Sequence, residues 1–185
     1  MKQNVEIEYK ILINETQYNG LMSNFPGEPF SQTNFYFDNF DHQLKTRGIS
    51  CRIRTFGDKV ELTLKIPRKK GKDEITFDHV DPETAFTRHD VAFFMARMGI
   101  LSPLVFQGSL TTIRSTFKCR YGLLCIDKNT YNGITDYEVE YEVYKNLRKG
   151  LNEFRDILAF FGLVYIKDCD SKIKRCLSTV PQDQP

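Results

Sequence analysis

Several segments of this sequence alternate strictly between charged or polar residues and apolar ones. In residues 5–11 (VEIEYKI), Glu6, Glu8 and Lys10 share one side of an extended chain, and the other four residues, all apolar or aromatic, share the opposite side. A period of two is typical of a β-strand. Because both faces are chemically pure, the charged face either meets bulk water or lines a site.

The same alternation recurs along most of the chain. It is found in ISCRIRT (49–55), VELTLKI (60–66), TTIRSTFKCR (111–120) and DYEVEYEVY (136–144). Arg52 and Arg54 oppose apolar neighbours in the first of these segments, and Glu138 and Glu140 do so in the last. The repetition indicates a whole sheet with one charged face and one apolar face.

The wider pattern predicts an antiparallel sheet accompanied by helices. Strands are predicted at 5–13, 31–38, 49–55, 59–66, 73–79, 104–108, 111–120, 122–128 and 135–144, with a short one near 163–166. Helices are predicted from a capping box at Asn14 to Asn24, and at 83–98, 151–161 and 171–178. Since the strands come in two sets rather than alternating with helices, we expect an α+β, mainly β fold in which eight antiparallel strands form a closed or nearly closed barrel.

The two longer helices decide which strand face points inward. Both 83–98 and 151–161 are amphipathic, and the apolar strand faces are the only surface large enough to cover them. Those faces must then point outward, so the charged faces line the interior, the inverse of an ordinary barrel. Enclosing ionised groups costs on the order of several kcal/mol each unless they are paired, solvated or coordinated. The sequence therefore predicts a charged tunnel that holds a ligand.

The residues predicted to face this tunnel combine two chemistries. They are the carboxylates Glu6, Glu8, Glu138 and Glu140 and the basic residues Lys10, Arg52, Arg54, Lys65, Arg114 and Lys118. Hard carboxylate oxygens select Mg²⁺ or Mn²⁺, and guanidinium and ammonium groups select phosphate oxygens. A ligand that satisfies both sets is a metal-bound polyphosphate.

Composition narrows the classes of function. The 185 residues suit one domain, predicted over residues 1–179, with a flexible polar tail at 180–185. A net charge of +2 argues against nucleic acid or a membrane as partner. Neither an apolar run of about 20 residues nor a signal-like N-terminus is found in the sequence, so we expect a cytoplasmic protein. The basic run RKKGK (68–72) is predicted to be a solvated hairpin turn.

Residues 6–10 (EIEYK) resemble the E-x-E-x-K signature of the CYTH superfamily, the triphosphate tunnel metalloenzymes. The similarity continues through Tyr36-Phe37-Asp38, Leu44, Gly48, Arg52-Ile53-Arg54, Leu62-Thr63-Leu64-Lys65, Glu74, Leu110-Thr111-Thr112, Arg114, Asp127, Asp136-Tyr137-Glu138-Val139-Glu140, Ser171-Lys172 and Arg175. This ordered set covers nearly the whole chain, which is most similar to the CYTH proteins of Gram-positive bacteria.

The resemblance implies an eight-stranded tunnel and a divalent-metal-dependent hydrolysis of triphosphates, such as inorganic tripolyphosphate or thiamine triphosphate, with Mg²⁺ or Mn²⁺ as cofactor. It implies that Glu6, Glu8, Glu138 and Glu140 are metal ligands, and that Lys10, Arg52, Arg54, Lys65, Arg114 and Lys118 bind phosphates, with Lys172 and Arg175 closing one mouth. The predicted catalytic residues among these are Glu6, Glu8, Lys10, Arg52 and Arg54. Glu74 and Asp127 are additional candidates.

Two other functions are compatible with the same residues. One is an adenylyl cyclase of the class IV type, which the resemblance also covers, and the other is a non-catalytic module that binds polyphosphate or a nucleotide. The sequence leaves open the physiological triphosphate, the preferred metal, the carboxylate that orients the water and the oligomeric state. It also leaves open whether Glu61, Asp78, Arg120 and Glu142 lie at a tunnel mouth or in solvent.

Overall fold

The computed structural model describes residues 1–25, 27–100 and 103–179, and the predicted tail lies outside them. Within these residues the chain forms one nine-stranded antiparallel sheet and five helices. The strands are β1 (Lys2–Glu6), β2 (Glu8–Ile13), β3 (Phe30–Asp38), β4 (Ser50–Phe56), β5 (Lys59–Pro67), β6 (Lys72–Asp78), β7 (Val105–Lys118), β8 (Gly122–Tyr131) and β9 (Ile134–Val143). The helices are α1 (Glu15–Asn24), α2 (Gln43–Thr46), α3 (His89–Arg97), α4 (Leu147–Phe160) and α5 (Lys172–Ser178).

The two edges of the sheet are consecutive pieces of chain. The strand order is β1-β6-β5-β4-β3-β7-β8-β9-β2, so β1 and β2 stand at opposite ends although only Ile7 separates them in sequence. The backbone N–H of Val143 donates to the carbonyl of Ile7 at 2.8 Å. Because β1 and β2 are joined directly through Ile7, the sheet curls and its two edge strands come together at that residue. With β1 and β2 counted together, this is the predicted mainly β fold of eight antiparallel strands with helices outside.

The apolar strand faces point outward beneath the helices. On one side α3 packs on β4, β5 and β6 in a cluster that includes Leu62, Leu64, Phe77, Val91 and Met95. On the other side α1 and α4 cover β2, β8 and β9 in a cluster that includes Leu21, Leu124, Ile126, Tyr141, Phe154 and Leu158. Each fully buried side chain of this kind contributes roughly 1.5–3 kcal/mol. This packing leaves the charged strand faces inside the curled sheet.

The prediction of a helix at 83–98 is wrong for its first half. It begins only at His89, after a series of turns. A carboxylate oxygen of Asp81 accepts the backbone N–H of Glu83 at 3.0 Å, and the hydroxyl of Thr84 donates to the other oxygen at 3.2 Å. Such local side-chain hydrogen bonds offer the backbone an alternative to the helix, and Arg88 is extended with φ −58° and ψ 127°.

Other boundaries also differ from the predictions. The predicted strand at 163–166 does not form, and Val164 and Ile166 are exposed. The predicted strand at 5–13 is divided at Ile7, whereas 104–108 and 111–120 join in the single strand β7. Helix α4 starts at Leu147 because the side chain of Asn146 accepts the N–H of Lys149 at 3.2 Å.

No helix in the described part of the chain combines the length and the apolar character that crossing a membrane would require.

Candidate active site

The interior of the curled sheet contains a cavity of about 220 Å³ with charged walls. It is lined by Glu6, Glu8, Lys10, Gln32, Asn34, Tyr36, Ser50, Arg52, Arg54, Lys65, Lys72, Glu74, Arg114, Glu140, Glu142, Ser171, Lys172 and Ile173. These side chains come from eight of the nine strands and from α5 and the residue before it. We call this space the tunnel cavity.

Strand alternation puts these side chains inside. On β4, Cys51 and Ile53 are buried in the outer cluster beneath α3. Arg52 and Arg54 alternate with them along the strand and therefore face the tunnel cavity. The same holds on β2, where Tyr9 packs outward in the cluster of α4 while Glu8 and Lys10 line the cavity.

The carboxylates of the first two strands each bind a lysine. The Nζ of Lys65 lies 2.5 and 2.6 Å from the two carboxylate oxygens of Glu6, and it lies 3.5 Å from Glu74. Lys10 donates to Glu8 within the same strand. Burial alone would lower the pKa of Lys10, but the negative charges of Glu8 and then Glu140 outweigh it and raise that pKa above its ordinary value.

Arg114 and Lys172 form a second, more buried group with acidic residues. Arg114 binds Asp127 with two nitrogens, at 2.8 and 2.7 Å, and also donates to Glu140. The Nζ of Lys172 lies 2.8 Å from Glu140 and 2.9 Å from Asp127. Asp127 is fully buried and does not line the tunnel cavity. It therefore holds the two cations in place from behind.

The two arginines of β4, Arg52 and Arg54, differ in how their charges are neutralised. Within the described ranges Arg52 forms no ion pair, and its buried Nε has no hydrogen-bond partner. Arg54 donates from Nε to Asn34 at 2.9 Å, and its guanidinium lies 3.5 Å from Glu61. Burial, together with the positive charges of Arg52 and Arg114, lowers the pKa of Arg54 to about 10. A guanidinium that forms no ion pair and has a buried nitrogen without a hydrogen-bond partner is a ready site for an anion.

The structure does not place three predicted site residues at the tunnel cavity. Glu138, predicted as a metal ligand, is fully buried with its carboxylate 2.5 Å from Arg175 and 2.9 Å from Lys172. Arg175, predicted to bind phosphate, is occupied by Glu138 and by Asp136 at 2.8 Å. These two side chains pair beneath α5 instead of lining the cavity. Lys118 is exposed because it lies four residues beyond Arg114, about 13 Å further along β7.

Sequence reasoning missed several wall residues. Lys72 was assigned to a solvated turn, although it shares its side of β6 with Glu74 opposite the buried Ile75, and this alternation could have identified it. Glu142, which the sequence left open between a tunnel mouth and solvent, has the same parity as Glu140 and lines the cavity. The polar residues of β3 gave a weaker signal because aromatic residues occupy both faces of that strand.

The oxygen donors of the wall suit a hard divalent cation. Glu6, Glu8, Glu140 and Glu142 all line the tunnel cavity, and carboxylate oxygens are ligands that Mg²⁺ and Mn²⁺ prefer. In the described residues, however, no three His, Cys, Asp or Glu side chains converge on one point that could hold a metal ion. Mg²⁺ usually binds through one or two carboxylates together with substrate phosphates. The donor set therefore fits a cation that binds together with a phosphate ligand.

The fold and the wall chemistry, a curled antiparallel sheet around a cavity of carboxylates and cations, agree with the comparison with known families. Residues 4–176 match the model of the CYTH domain, so the chain belongs to the CYTH family.

Individual relatives support the same assignment. The chain is 28% identical over 171 residues to YjbK of Bacillus subtilis (strain 168), a triphosphatase candidate, covering 88% of this chain and 90% of that protein. A solved structure from Bacillus halodurans, described as an adenylate cyclase candidate, has a TM-score of 0.84 at 29% identity and covers 95% of this chain and 98% of its own.

A plant structure extends the similarity of fold. HpAC1 from Hippeastrum, described as an adenylyl cyclase candidate with a dominant triphosphatase activity, has a TM-score of 0.75 at 23% identity. The match covers 97% of this chain and all (100%) of that one. At this level of identity the match concerns the fold.

Proposed function

We propose that this protein is a divalent-metal-dependent triphosphatase that hydrolyses inorganic tripolyphosphate or a small organic triphosphate, such as thiamine triphosphate, in the tunnel cavity. The observation that carries the proposal is the convergence of carboxylates and cations, including the unpartnered Arg52, on one cavity of about 220 Å³. This volume is below the roughly 300–1,000 Å³ of typical small-molecule pockets, which favours a compact ligand. The name of YjbK supports the same activity.

Ligand binding would exchange ion pairs rather than create unpaired charges. In the structure, Lys65 neutralises Glu6 and Lys10 neutralises Glu8. A triphosphate that carries a divalent cation offers negative oxygens to the lysines and a positive charge to the glutamates. Every buried charge then keeps an opposite partner, so binding avoids the penalty of leaving an isolated ion in the interior.

The proposed reaction needs positioning more than covalent chemistry. Water adds to the terminal phosphorus, the bond from that phosphorus to its bridging oxygen breaks, and the products are orthophosphate and the shortened phosphate chain. The bound Mg²⁺ or Mn²⁺ would supply neutralisation of phosphate charge. Arg52, Arg54 and Lys65 would hold phosphate oxygens in a fixed orientation, and carboxylates of the wall are available to orient the water.

The test compares phosphate release by the wild type and two variants. With Mg²⁺ or Mn²⁺ and a panel of tripolyphosphate, thiamine triphosphate and ATP, we expect Glu8→Gln and Arg52→Ala each to reduce turnover by about 100-fold or more. Lys69→Ala is the matched control, because Lys69 is exposed and lines no part of the cavity. Circular dichroism checks that the variants fold. Unchanged turnover in both site variants would refute the proposal.

A cyclase is the second candidate, favoured by the description of the Bacillus halodurans structure. It would convert ATP to a cyclic nucleotide and diphosphate, whereas the triphosphatase releases orthophosphate, so chromatography of the products separates the two. Tight binding of triphosphates without any product would instead identify a binding module. The cytoplasmic location stays a prediction.

A further inference from the structure

The tunnel cavity adjoins a second, larger cavity at the point where β1 and β2 meet. This side groove has a volume of about 730 Å³ and shares Glu6, Glu8, Lys10, Lys72 and Ser171 with the tunnel cavity. Its outer walls come from the β5–β6 hairpin at Lys70 and Gly71 and from the segment 168–170. The shared residues show that the two spaces are neighbours across one wall.

The change of strand partner at Ile7 explains the groove. β1 pairs with β6 over residues 2–6, and β2 pairs with β9 over residues 8–13. Beyond Ile7 the free edge of β2 is therefore covered by irregular chain: the N–H of Lys10 donates to Asp168 at 2.9 Å, and the N–H of Cys169 donates to the carbonyl of Lys10 at 3.2 Å. The space between this segment and the β5–β6 hairpin is the side groove.

Lys72 lies at the junction of the two spaces. It is the first residue of β6, it pairs with Glu6 in the strand ladder, and it lines both the tunnel cavity and the side groove. The backbone around it is held closely: Gly71 has a φ of +73°, and a Cβ there would overlap the carbonyl oxygen of Glu6. The hairpin therefore fixes the position from which the Lys72 side chain extends.

The charges around Lys72 leave it without a neutralising partner. The two nearby carboxylates, Glu6 and Glu8, are already bound by Lys65 and Lys10. Among the described residues Lys72 itself forms no ion pair. Burial lowers its pKa; Glu8 opposes that shift, Lys10 and Lys65 add to it, and the result is below the ordinary value for lysine. An anion placed here would meet a surplus of positive charge.

We propose that Lys72 binds a phosphate group of the substrate at the junction of the tunnel cavity and the side groove. The inference rests on the proposed function and adds a substrate-binding residue to it. A phosphate chain in the tunnel cavity has its groove-side end next to Lys72, and an ammonium group there neutralises that end.

The experiment measures KM and kcat for tripolyphosphate with Mg²⁺ in Lys72→Ala, Lys72→Arg and the control Lys69→Ala. We expect Lys72→Ala to raise KM by roughly tenfold or more, because a charged contact to phosphate is lost, and to change kcat by less than about threefold. Lys72→Arg, which keeps the charge, should recover most of the affinity. A change in folding alone would not produce this rescue, and thermal melts of all variants check it.

The outcomes separate this inference from the proposed function. If the wild type releases phosphate and Lys72→Ala has the KM of Lys69→Ala, the role of Lys72 is refuted and the triphosphatase stands. If the wild type releases no phosphate, the triphosphatase is refuted, and calorimetric titration with tripolyphosphate tests Lys72 alone. Weaker binding in Lys72→Ala then supports the inference, whereas equal binding, or no binding by the wild type, overturns it.

Discussion

Glu138 and Glu140 share one face of β9, yet their surroundings differ. Glu140 lines the tunnel cavity, and the positive charges of Lys172, Arg114 and Lys10 outweigh its burial and hold its pKa well below the ordinary value. Glu138 lies behind it, where burial and then the charge of Glu140 raise its pKa to about 6. Alternation predicted the face of both residues. It could not predict which of the two carboxylates reaches the cavity, since that depends on how α5 packs on the sheet.

At the scale of single residues, Gly71 gives a specific prediction. Gly71→Ala places a Cβ in a left-handed backbone with φ +73° and against the carbonyl oxygen of Glu6, whereas Gly133→Ala meets the same strain at φ +76° with open space around it. We expect Gly133→Ala to lower the free energy of unfolding by about 1–2 kcal/mol and Gly71→Ala to lower it further. Denaturant unfolding measures both values. Equal losses would show that the close approach of the hairpin to Glu6 is not real.

At the scale of elements, the sequence predicted the strands well and the connections poorly. The strands at 49–55, 59–66 and 73–79 were found within one or two residues, because apolar and charged residues alternate cleanly there. The helix predicted at 83–98 is absent from its first turns, where the carboxylate of Asp81 accepts the backbone N–H of Glu83 and the hydroxyl of Thr84. Helix α5 was predicted, but its ion pairs to β9 were not, since those join residues nearly 40 positions apart.

The attachment of α5 to β9 predicts a pH-dependent stability. Asp136 accepts hydrogen bonds from Arg175, Tyr131 and Asn129 at 2.8, 2.7 and 2.9 Å. Burial raises the pKa of Asp136, but these three hydrogen bonds outweigh it and hold that pKa below the ordinary value of 3.8. Because the pKa of Asp136 is lower in the folded state than in the unfolded state, its ionised carboxylate stabilises the fold at pH values above 3.8. This contribution is lost as the pH falls below 3.8 and through the lower pKa of the folded state.

Asp136→Asn removes this contribution. We expect the variant to be less stable than the wild type by about 2 kcal/mol at neutral pH, and the difference in Tm to narrow as the pH falls from about 5 to about 2. Thermal unfolding followed across this range measures the difference. A Tm difference that is constant with pH would mean that the ionised carboxylate does not hold α5 in place.

At the scale of the whole molecule, two amphipathic helices and several strands with one charged and one apolar face were enough to predict how the sheet is oriented. Its apolar face points outward and its charged face points inward. Because α3 and α4 need apolar surfaces, Arg52 and Glu8 had to face inward. The side groove could not be predicted in this way. It depends on β1 and β2 choosing different partners, β6 and β9, which are distant in sequence and are brought together only when the sheet curls.

We propose that the tunnel cavity binds a metal-bound triphosphate and hydrolyses it. The most direct test of this proposal is a time course of product formation from tripolyphosphate, thiamine triphosphate and ATP, with Mg²⁺ or Mn²⁺ and with EDTA. We expect at least one of these substrates to yield orthophosphate and the shortened phosphate chain in equal amounts, and EDTA to stop the reaction. Absence of orthophosphate from all three, or release that EDTA does not affect, would contradict it.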